Sequence, residues 1–303
     1  MDVFKIHVGE GRAIAISREN YFMETKGMEP YVVERDGHRT FYAVCPECDN
    51  PIQLIGLNRR ELDAGHRRPY GKHVGHDVPG VAVYDETAYL ECSYSNPGYH
   101  RDPGSRRPPS NPTALALYRI MRDRFDRVEY AWRRASGIRL GIKRLRRALT
   151  LWRNDKAWLN YDSTYCNLPQ MLFMGSPEQD LYGQCVSKDG PVAAALSTLD
   201  DIRLEPVDFS EEYVRVSTTR FTNVTFTLGP PSKRKDGEHM VEYFPLCLLH
   251  EGRQIGGFIQ VRTDPEWFSR ILNMPDWHEN HRLSAMAADV LGQSNVTTYL
   301  YHP

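Results

Sequence analysis

Several features are missing from this 303-residue chain, and each absence removes a class of function. No run approaches the ~18 consecutive apolar residues of a membrane span, so no membrane partner is expected. The opening MDVFKIHVGEGRAIAI lacks a basic stretch followed by an apolar one, which argues against a signal peptide and for a cytoplasmic protein. Neither Gly-x-Gly-x-x-Gly nor a phosphate loop occurs, so no nucleotide cofactor is implied. Gly-x-Ser-x-Gly is absent as well. A magnesium nuclease would show an Asp followed by Glu-x-Lys on a strand. Here the nearest acidic cluster is Asp200, Asp201 and Glu205, with no lysine at the needed spacing. Cysteine is sparse at six residues, and without an export signal these are expected to be reduced thiols.

Four of the residues that matter most fall between positions 45 and 76. Cys45-Pro46-Glu47-Cys48 and His73-Val74-Gly75-His76, followed by Cys92, form the one place where metal-ligating types cluster at ligand spacing. Zinc takes four ligands in a tetrahedron, usually thiolate sulfur and imidazole nitrogen. A Cys-x-x-Cys turn aims two sulfurs at one point, and Pro46 suits such a turn because its φ is fixed. A second pair must come from elsewhere. Either His73 with His76 supplies it, or one histidine with Cys92. Gly71 and Gly75 are expected to keep the histidine loop pliable. The 24 residues between Cys48 and His73 exceed a compact finger and predict an inserted hairpin or loop. Two other readings stay open. One is a redox-active Cys-x-x-Cys, although such motifs ordinarily lie between a strand and a helix. The other is a set of unliganded thiols near surface histidines.

An aromatic strand, Cys-Pro-x-Cys, a glycine-containing spacer and His-x-x-His stand here as FYAVCPECDNPIQL and GKHVGH. Over about residues 41–94 this resembles the zinc ribbon of CoiA-like competence proteins and related bacterial zinc-ribbon proteins. The resemblance implies a structural Zn²⁺, a nuclease-type domain after the ribbon, and work as a subunit of a bacterial mobile-element, defence or RNA-guided complex. The remainder of the chain carries no nuclease motif to match.

Before the ribbon, VFKIHV, AIAIS, YVVER and TFYAV alternate as strands, with a hairpin signal at Asp36-Gly37. Residues 1–95 thus read as a β-rich module. The proline- and glycine-rich 96–112, which carries Arg101, Arg106 and Arg107 against Asp102, reads as a linker. Residues 113–303 read as an α+β domain. One helix runs from Thr113 to a break at Gly137, with Leu117, Met121, Phe125, Val128 and Trp132 on one face. A second starts near Ile138, its stripe being Ile138, Ile142, Leu145, Leu149 and Trp152. Residues 201–262 read as one antiparallel sheet, with PPSKRKDGE as a loop and Glu251-Gly252 as a tight hairpin turn. Helical segments fill 265–292, breaking at Met274-Pro275 and resuming at a capping Asp276. There His278 and His281 sit three apart, one residue short of a His-Glu-x-x-His zinc motif. The fold class is therefore α+β: a small β-rich ribbon module, a central helical segment, and a C-terminal antiparallel sheet with a terminal helix.

Charge is unevenly spread. Residues 119–156 hold thirteen basic side chains against four acidic ones, an excess of nine in a chain whose total is −1; the rest therefore carries −10. Such a block is the footprint of a phosphate-backbone surface, and arginine's planar fork suits phosphate well. Arg133, Arg134, Arg139, Lys143, Arg144, Arg146 and Arg147 are the candidate DNA or RNA contacts, with Lys233, Arg234 and Lys235 as a second patch. The block also suits the chain's own acidic part, an acidic protein partner, or plain solvated surface. The sequence-level reading is a cytoplasmic zinc-binding protein that binds nucleic acid through an arginine-rich helical surface and is not expected to be an enzyme. A metal-dependent nuclease and a scaffold for an acidic protein are the alternatives.

Overall fold

The computed structural model describes residues 1, 3–9, 13–58, 69–92, 94, 105–236, 239–275 and 277–292. Helices combine with antiparallel sheets, the α+β class read from the sequence. β1 (Val3–Phe4) pairs with β2 (Ile14–Ala15). Next comes α1 (Arg18–Thr25), a helix the sequence reading did not expect. Its RENYFMET buries only Tyr21 and Thr25, too little for a visible stripe, but the Ser17 side chain accepts from the Asn20 N–H and starts it. β3 (Val32–Arg35) and β4 (His38–Val44) form the expected hairpin. Its turn residues Asp36 and Gly37 have φ +51° and +74°, the positive-φ pair that Asp-Gly supplies. β5 (Pro51–Ile55) and β6 (Tyr70–His73) complete a four-stranded sheet in the order β3-β4-β5-β6. The insertion before His73 is thus a hairpin, of which residues 59–68 lie outside the described residues. α2 (Glu86–Glu91) closes this part.

Phe4, Tyr21, Phe41, Ile52 and Leu54 form a small core that also contains Cys45 and Cys92. Gly71 belongs to it for a reason other than pliability. A Cβ there would stand 2.9 Å from Met1 Cγ, 3.1 Å from Ile52 Cδ1 and 3.3 Å from Ile16 Cδ1.

Residues 95–104 of the expected linker, with Arg101 and Asp102, lie outside the described residues. The end that is described is packed: Arg106 bridges Asn160 and Arg107 is buried. α3 (Pro112–Asp123) and α4 (Phe125–Ser136) replace the single long helix expected, because Arg124 leaves the helical region at φ −135°. The predicted stripe survives the break, and Leu117, Met121, Phe125, Val128 and Trp132 are all buried. Gly137, at φ +70°, ends α4 as a left-handed cap. The next helix does not start at Ile138. Ile138–Arg139 forms β7, paired with the later strand Cys185–Ser187, and α5 runs Ile142–Asn154.

α6 (Leu168–Met171), β8 (Gln179–Asp180), β9 (Cys185–Ser187) and α7 (Pro191–Leu196) lead to β10 (Ile202–Val207) and β11 (Ser210–Thr218). Then come β12 (Val224–Leu228), β13 (Ser232–Asp236), β14 (His239–His250) and β15 (Arg253–Arg262). These strands do not make one sheet. β10-β11-β9-β7 is one, and β13-β14-β12-β8 with β15 on β14 is another. Both recruit two- or three-residue strands from before position 201, which are too short to carry an alternation. The Glu251-Gly252 turn is as expected, with φ +50° and +72°. α8 (Pro265–Asn273) and α9 (His281–Gly292) end the described chain. Asp276 lies outside the described residues, and residues 277–280 are not helical. Asp126 explains this, since it accepts from Trp277 Nε1 at 2.7 Å and from the Asn280 N–H at 3.2 Å. His278 and His281 therefore do not share a helical face.

The large core packs Trp132, Trp152, Tyr118, Phe125, Phe173, Phe226, Phe244 and Phe268 between α3, α4, α5, α9 and the two sheets. Trp158, Tyr165 and Phe173 are buried in it as well.

Candidate metal centre

β4 ends at Val44, and the chain turns through Cys45–Asn50 before β5 begins. The Cys45 N–H donates to the Asn50 carbonyl at 2.8 Å, and the Asp49 N–H donates to the Cys45 carbonyl at 3.2 Å. Asp49 takes φ +60° to close the loop. The turn lets both cysteines face the same side. β5 then carries the chain to β6, where Ile52 pairs with His73 and so sets the imidazole opposite the turn. The C-terminal cap of α2 delivers Cys92.

Cys45, Cys48, His73 and Cys92 place one ligand atom each within 4.8 Å of all the others. The Sγ atoms of Cys45 and Cys92 are 3.7 Å apart. His73 Nε2 lies 3.3 Å from Cys48 Sγ and 3.8 Å from Cys92 Sγ. Among the described residues this is the one group of three or more such side chains that could hold a metal. His76 is exposed and lies outside it. The ring of His73 is fixed edge-on by Tyr89, with centroids 5.2 Å apart.

Electrostatics divides the thiols. The Cys48 sulfur receives hydrogen bonds from Cys45, Cys92, His73 and the Asn50 amide, which hold it far below the ordinary thiol range. Burial pushes the Cys45 thiol up. Hydrogen bonding to Cys45 and Cys48, reinforced by burial, does the same to Cys92. Ionising all three would set three thiolates side by side, a charge that a bound cation would offset.

Three buried residues outside the ligand set hold the turn, and sequence reasoning missed their role. Asn50, fully buried, donates from Nδ2 to Cys48 Sγ at 3.3 Å and to the Asp85 carbonyl at 3.0 Å, while Oδ1 accepts from the Asp85 N–H at 2.6 Å. It therefore ties the start of α2, and with it Cys92, to the Cys-x-x-Cys turn. Lys5, also buried, pairs with Asp49 and donates to the Pro46 carbonyl at 3.4 Å. Glu47 points away from the cluster into the protein. It accepts from Thr113 Oγ1 at 3.2 Å and Asn111 Nδ2 at 3.4 Å, and it lies 3.9 Å from Arg107 Nε. The one signal in the sequence was a charged residue inside a turn otherwise committed to metal.

The arginine block is spent largely inside the molecule. Arg144 pairs with Asp180 and Arg146 with Asp289. Arg133 Nε lies 3.5 Å from Glu129, Arg134 covers the Trp267 ring at 4.0 Å, and Arg139 covers Phe209 at 4.4 Å. Arg127 donates to the carbonyls of Ile271 and Leu272, and Arg153 to that of Val290. Lys143 and Arg147 remain exposed on α5 with no ion pair among the described residues. Lys233, Arg234 and Lys235 are not on a loop. They lie on β13, opposite Glu242, Val241 and Met240 of β14. Of the three, Arg234 is exposed and 6.0 Å from the Tyr243 ring. Asp201 is held by Arg220 and His250, each at 3.1 Å, and Glu205 accepts from Ser217, so that acidic cluster is not gathered.

No helix among the described residues is long and apolar enough to cross a membrane. No family model, curated protein or solved structure matches the chain.

Proposed function

We propose that Cys45, Cys48, His73 and Cys92 bind one zinc ion, that this ion is structural, and that the protein is a zinc-stabilised binding protein. The spacing of the ligand atoms carries the reading. Zinc bonds of about 2.3 Å to sulfur and 2.0–2.1 Å to nitrogen give a tetrahedron with S···S edges of about 3.8 Å and S···N edges of about 3.5 Å. The Cys45–Cys92 sulfur edge is 3.7 Å, the His73 edges to Cys48 and Cys92 are 3.3 Å and 3.8 Å, and the remaining edges lie within 4.8 Å. Four protein ligands fill the coordination shell and leave no position for a substrate water, which is the arrangement of structural sites. Elemental analysis of the purified protein tests this. One zinc per chain is expected, lost in Cys45→Ser and Cys92→Ser and kept in His76→Ala. A protein without metal, or a His76→Ala variant that loses it, would overturn the assignment.

For the partner, we infer nucleic acid held against the exposed cations that the fold does not consume, with Lys143 and Arg147 of α5 foremost and Arg234 of β13 as a further contact. Support comes from two cations a helical turn apart on the exposed face of α5, with no ion pair within 4 Å among the described residues. Fluorescence anisotropy with labelled single- and double-stranded DNA and RNA at two salt concentrations tests it. Each lost phosphate contact flattens the log K against log salt slope by about 0.7–0.9, so Lys143→Glu with Arg147→Glu should flatten it by nearly two such steps. Salt-insensitive or absent binding leaves the acidic-protein scaffold, and shortened substrate with Mg²⁺ leaves the nuclease.

A further inference from the structure

Two clefts adjoin beside α4, away from the metal cluster. One of about 440 Å³ is lined by Asp126, Tyr130, Met274 and Trp277, and one of about 230 Å³ by Arg139, Gly141, Ile142 and Arg282. They share Glu129, Arg133, Asn280 and Leu283 as walls and so form one trough. Its two ends differ in chemistry. The larger end is aromatic and apolar, with Tyr130 and Trp277 packed edge to face at 5.2 Å. The smaller end is cationic, with Arg133, Arg139 and Arg282 against the single carboxyl of Glu129.

At the junction sit two charged groups whose hydrogen bonding is incomplete. The Glu129 side chain is only 9% exposed, and it makes no hydrogen bond with any described residue; its nearest cation is Arg133 Nε at 3.5 Å. That Nε is itself buried with no hydrogen-bond partner. Buried charges ordinarily find partners, because leaving one unsatisfied is costly. The neighbouring Asp126 shows the contrast, fully engaged by Trp277 and Asn280. Burial pushes the Glu129 carboxyl up, and Arg133 and Arg139 pull it back. Arg282 is exposed, Arg139 lies over the face of Phe209, and neither forms an ion pair within 4 Å among the described residues.

We propose that this trough binds a small zwitterion of the α-amino acid class bearing an apolar or aromatic side chain. The ligand ammonium donates to Glu129, its carboxylate is held by Arg139 and Arg282, and its side chain lies against Tyr130, Met274 and Trp277. A simple anion would sit beside the Glu129 carboxylate, and a simple amine would face three guanidinium groups. Only a molecule carrying both charges satisfies Glu129 and the arginines together. The trough falls in the usual range for small-molecule sites, about 300–1,000 Å³.

Isothermal titration of the full-length protein tests this with L-phenylalanine, L-leucine and L-methionine. The controls are 3-phenylpropanoate, which lacks the amine, 2-phenylethylamine, which lacks the carboxylate, and inorganic phosphate. At least one amino acid should bind, and its truncated analogues should bind about tenfold more weakly or worse, as expected for a lost charge-assisted hydrogen bond. Glu129→Gln and Arg282→Ala should each weaken the amino acid by a similar factor. Arg282 is exposed, so that variant keeps its fold, and thermal unfolding of both variants checks it. No binding by any of the three amino acids, equal binding of a truncated analogue, or affinity unchanged in both folded variants would overturn the proposal. Phosphate binding that Glu129→Gln leaves intact would overturn it in favour of a plain anion site.

Discussion

Arg107→Met should be among the most damaging single changes in this protein, while Glu47→Gln, at the other end of the same contact, should be mild. The two side chains are 1% and 2% exposed, so solvent screens neither. Arg107 donates to the carbonyls of Asn160 at 2.6 Å, Ser163 at 3.0 Å and Tyr161 at 3.2 Å. Methionine fills most of the volume but strands those three carbonyls and removes the guanidinium that lies 3.9 Å from the buried Glu47 carboxylate. Breaking a buried ion pair from one side costs about 3–5 kcal/mol, and the stranded carbonyls place this case at the upper end. Glutamine at position 47 keeps the shape and an oxygen for Thr113 or Asn111, and it leaves Arg107 its three carbonyls, so about 1–2 kcal/mol is expected. The double variant removes both charges and should lose less than the two singles together, by about 1–3 kcal/mol. Urea unfolding midpoints of the four proteins, with zinc saturating, measure all three quantities. At about 2 °C per kcal/mol for a chain of this size, Arg107→Met should also lower Tm by roughly 10 °C. Equal costs for the two single variants, or strict additivity in the double, would refute the view that the contact between the Arg107 and Glu47 charges sets the difference.

Two further outcomes follow from packing and burial. A carboxyl whose folded pKa is raised, as that of Glu129 is by burial, contributes stability below its unfolded pKa and loses it as pH rises towards the folded one. Glu129→Gln should therefore raise the urea midpoint at pH 7, with the gain shrinking towards the ordinary Glu range near about 4.3; a gain that grows in acid would contradict this. Gly71→Ala should cost about 1–3 kcal/mol by overpacking, because its methyl would meet Met1, Ile52 and Ile16 at 2.9–3.3 Å. Metal content should stay at one per chain, and a neutral effect on the unfolding midpoint would show that these side chains move aside freely.

Legibility in the sequence followed the local physics. Turns that demand positive φ were readable, since Asp36-Gly37 and Glu251-Gly252 both adopt it. The stripe Leu117, Met121, Phe125, Val128 and Trp132 was readable because every member is buried, even though Arg124 interrupts the helix beneath it. Elements held by distant partners were not. β7 is two residues long and exists only because β9 pairs with it, so Ile138 looked like the first turn of α5. α1 depends on Ser17 and a single buried tyrosine, not on periodicity. At the metal cluster the ligand types and four of the positions were visible in the spacing. The choice of Cys92 over His76 was not, since it depends on α2 and on the Asn50–Asp85 bonds that aim it. The arginine block drew attention as charge density, yet pairing with Asp180, Glu129 and Asp289 is tertiary information that no count supplies.

The placement of Glu47 also bears on how the chain is made. The ligands Cys45, Cys48, His73 and Cys92 have all been synthesised once position 92 is reached, so the cluster has its donors early. The partners of Glu47 come later, at Arg107, Asn111 and Thr113. During N-terminal-first synthesis at about 5–20 residues per second, about a second or more separates Cys92 from these three partners of Glu47. The turn that carries Glu47 then becomes the surface on which Arg107 and the start of α3 settle. Chain order thus makes the four candidate ligands available before the side chains that hold Glu47.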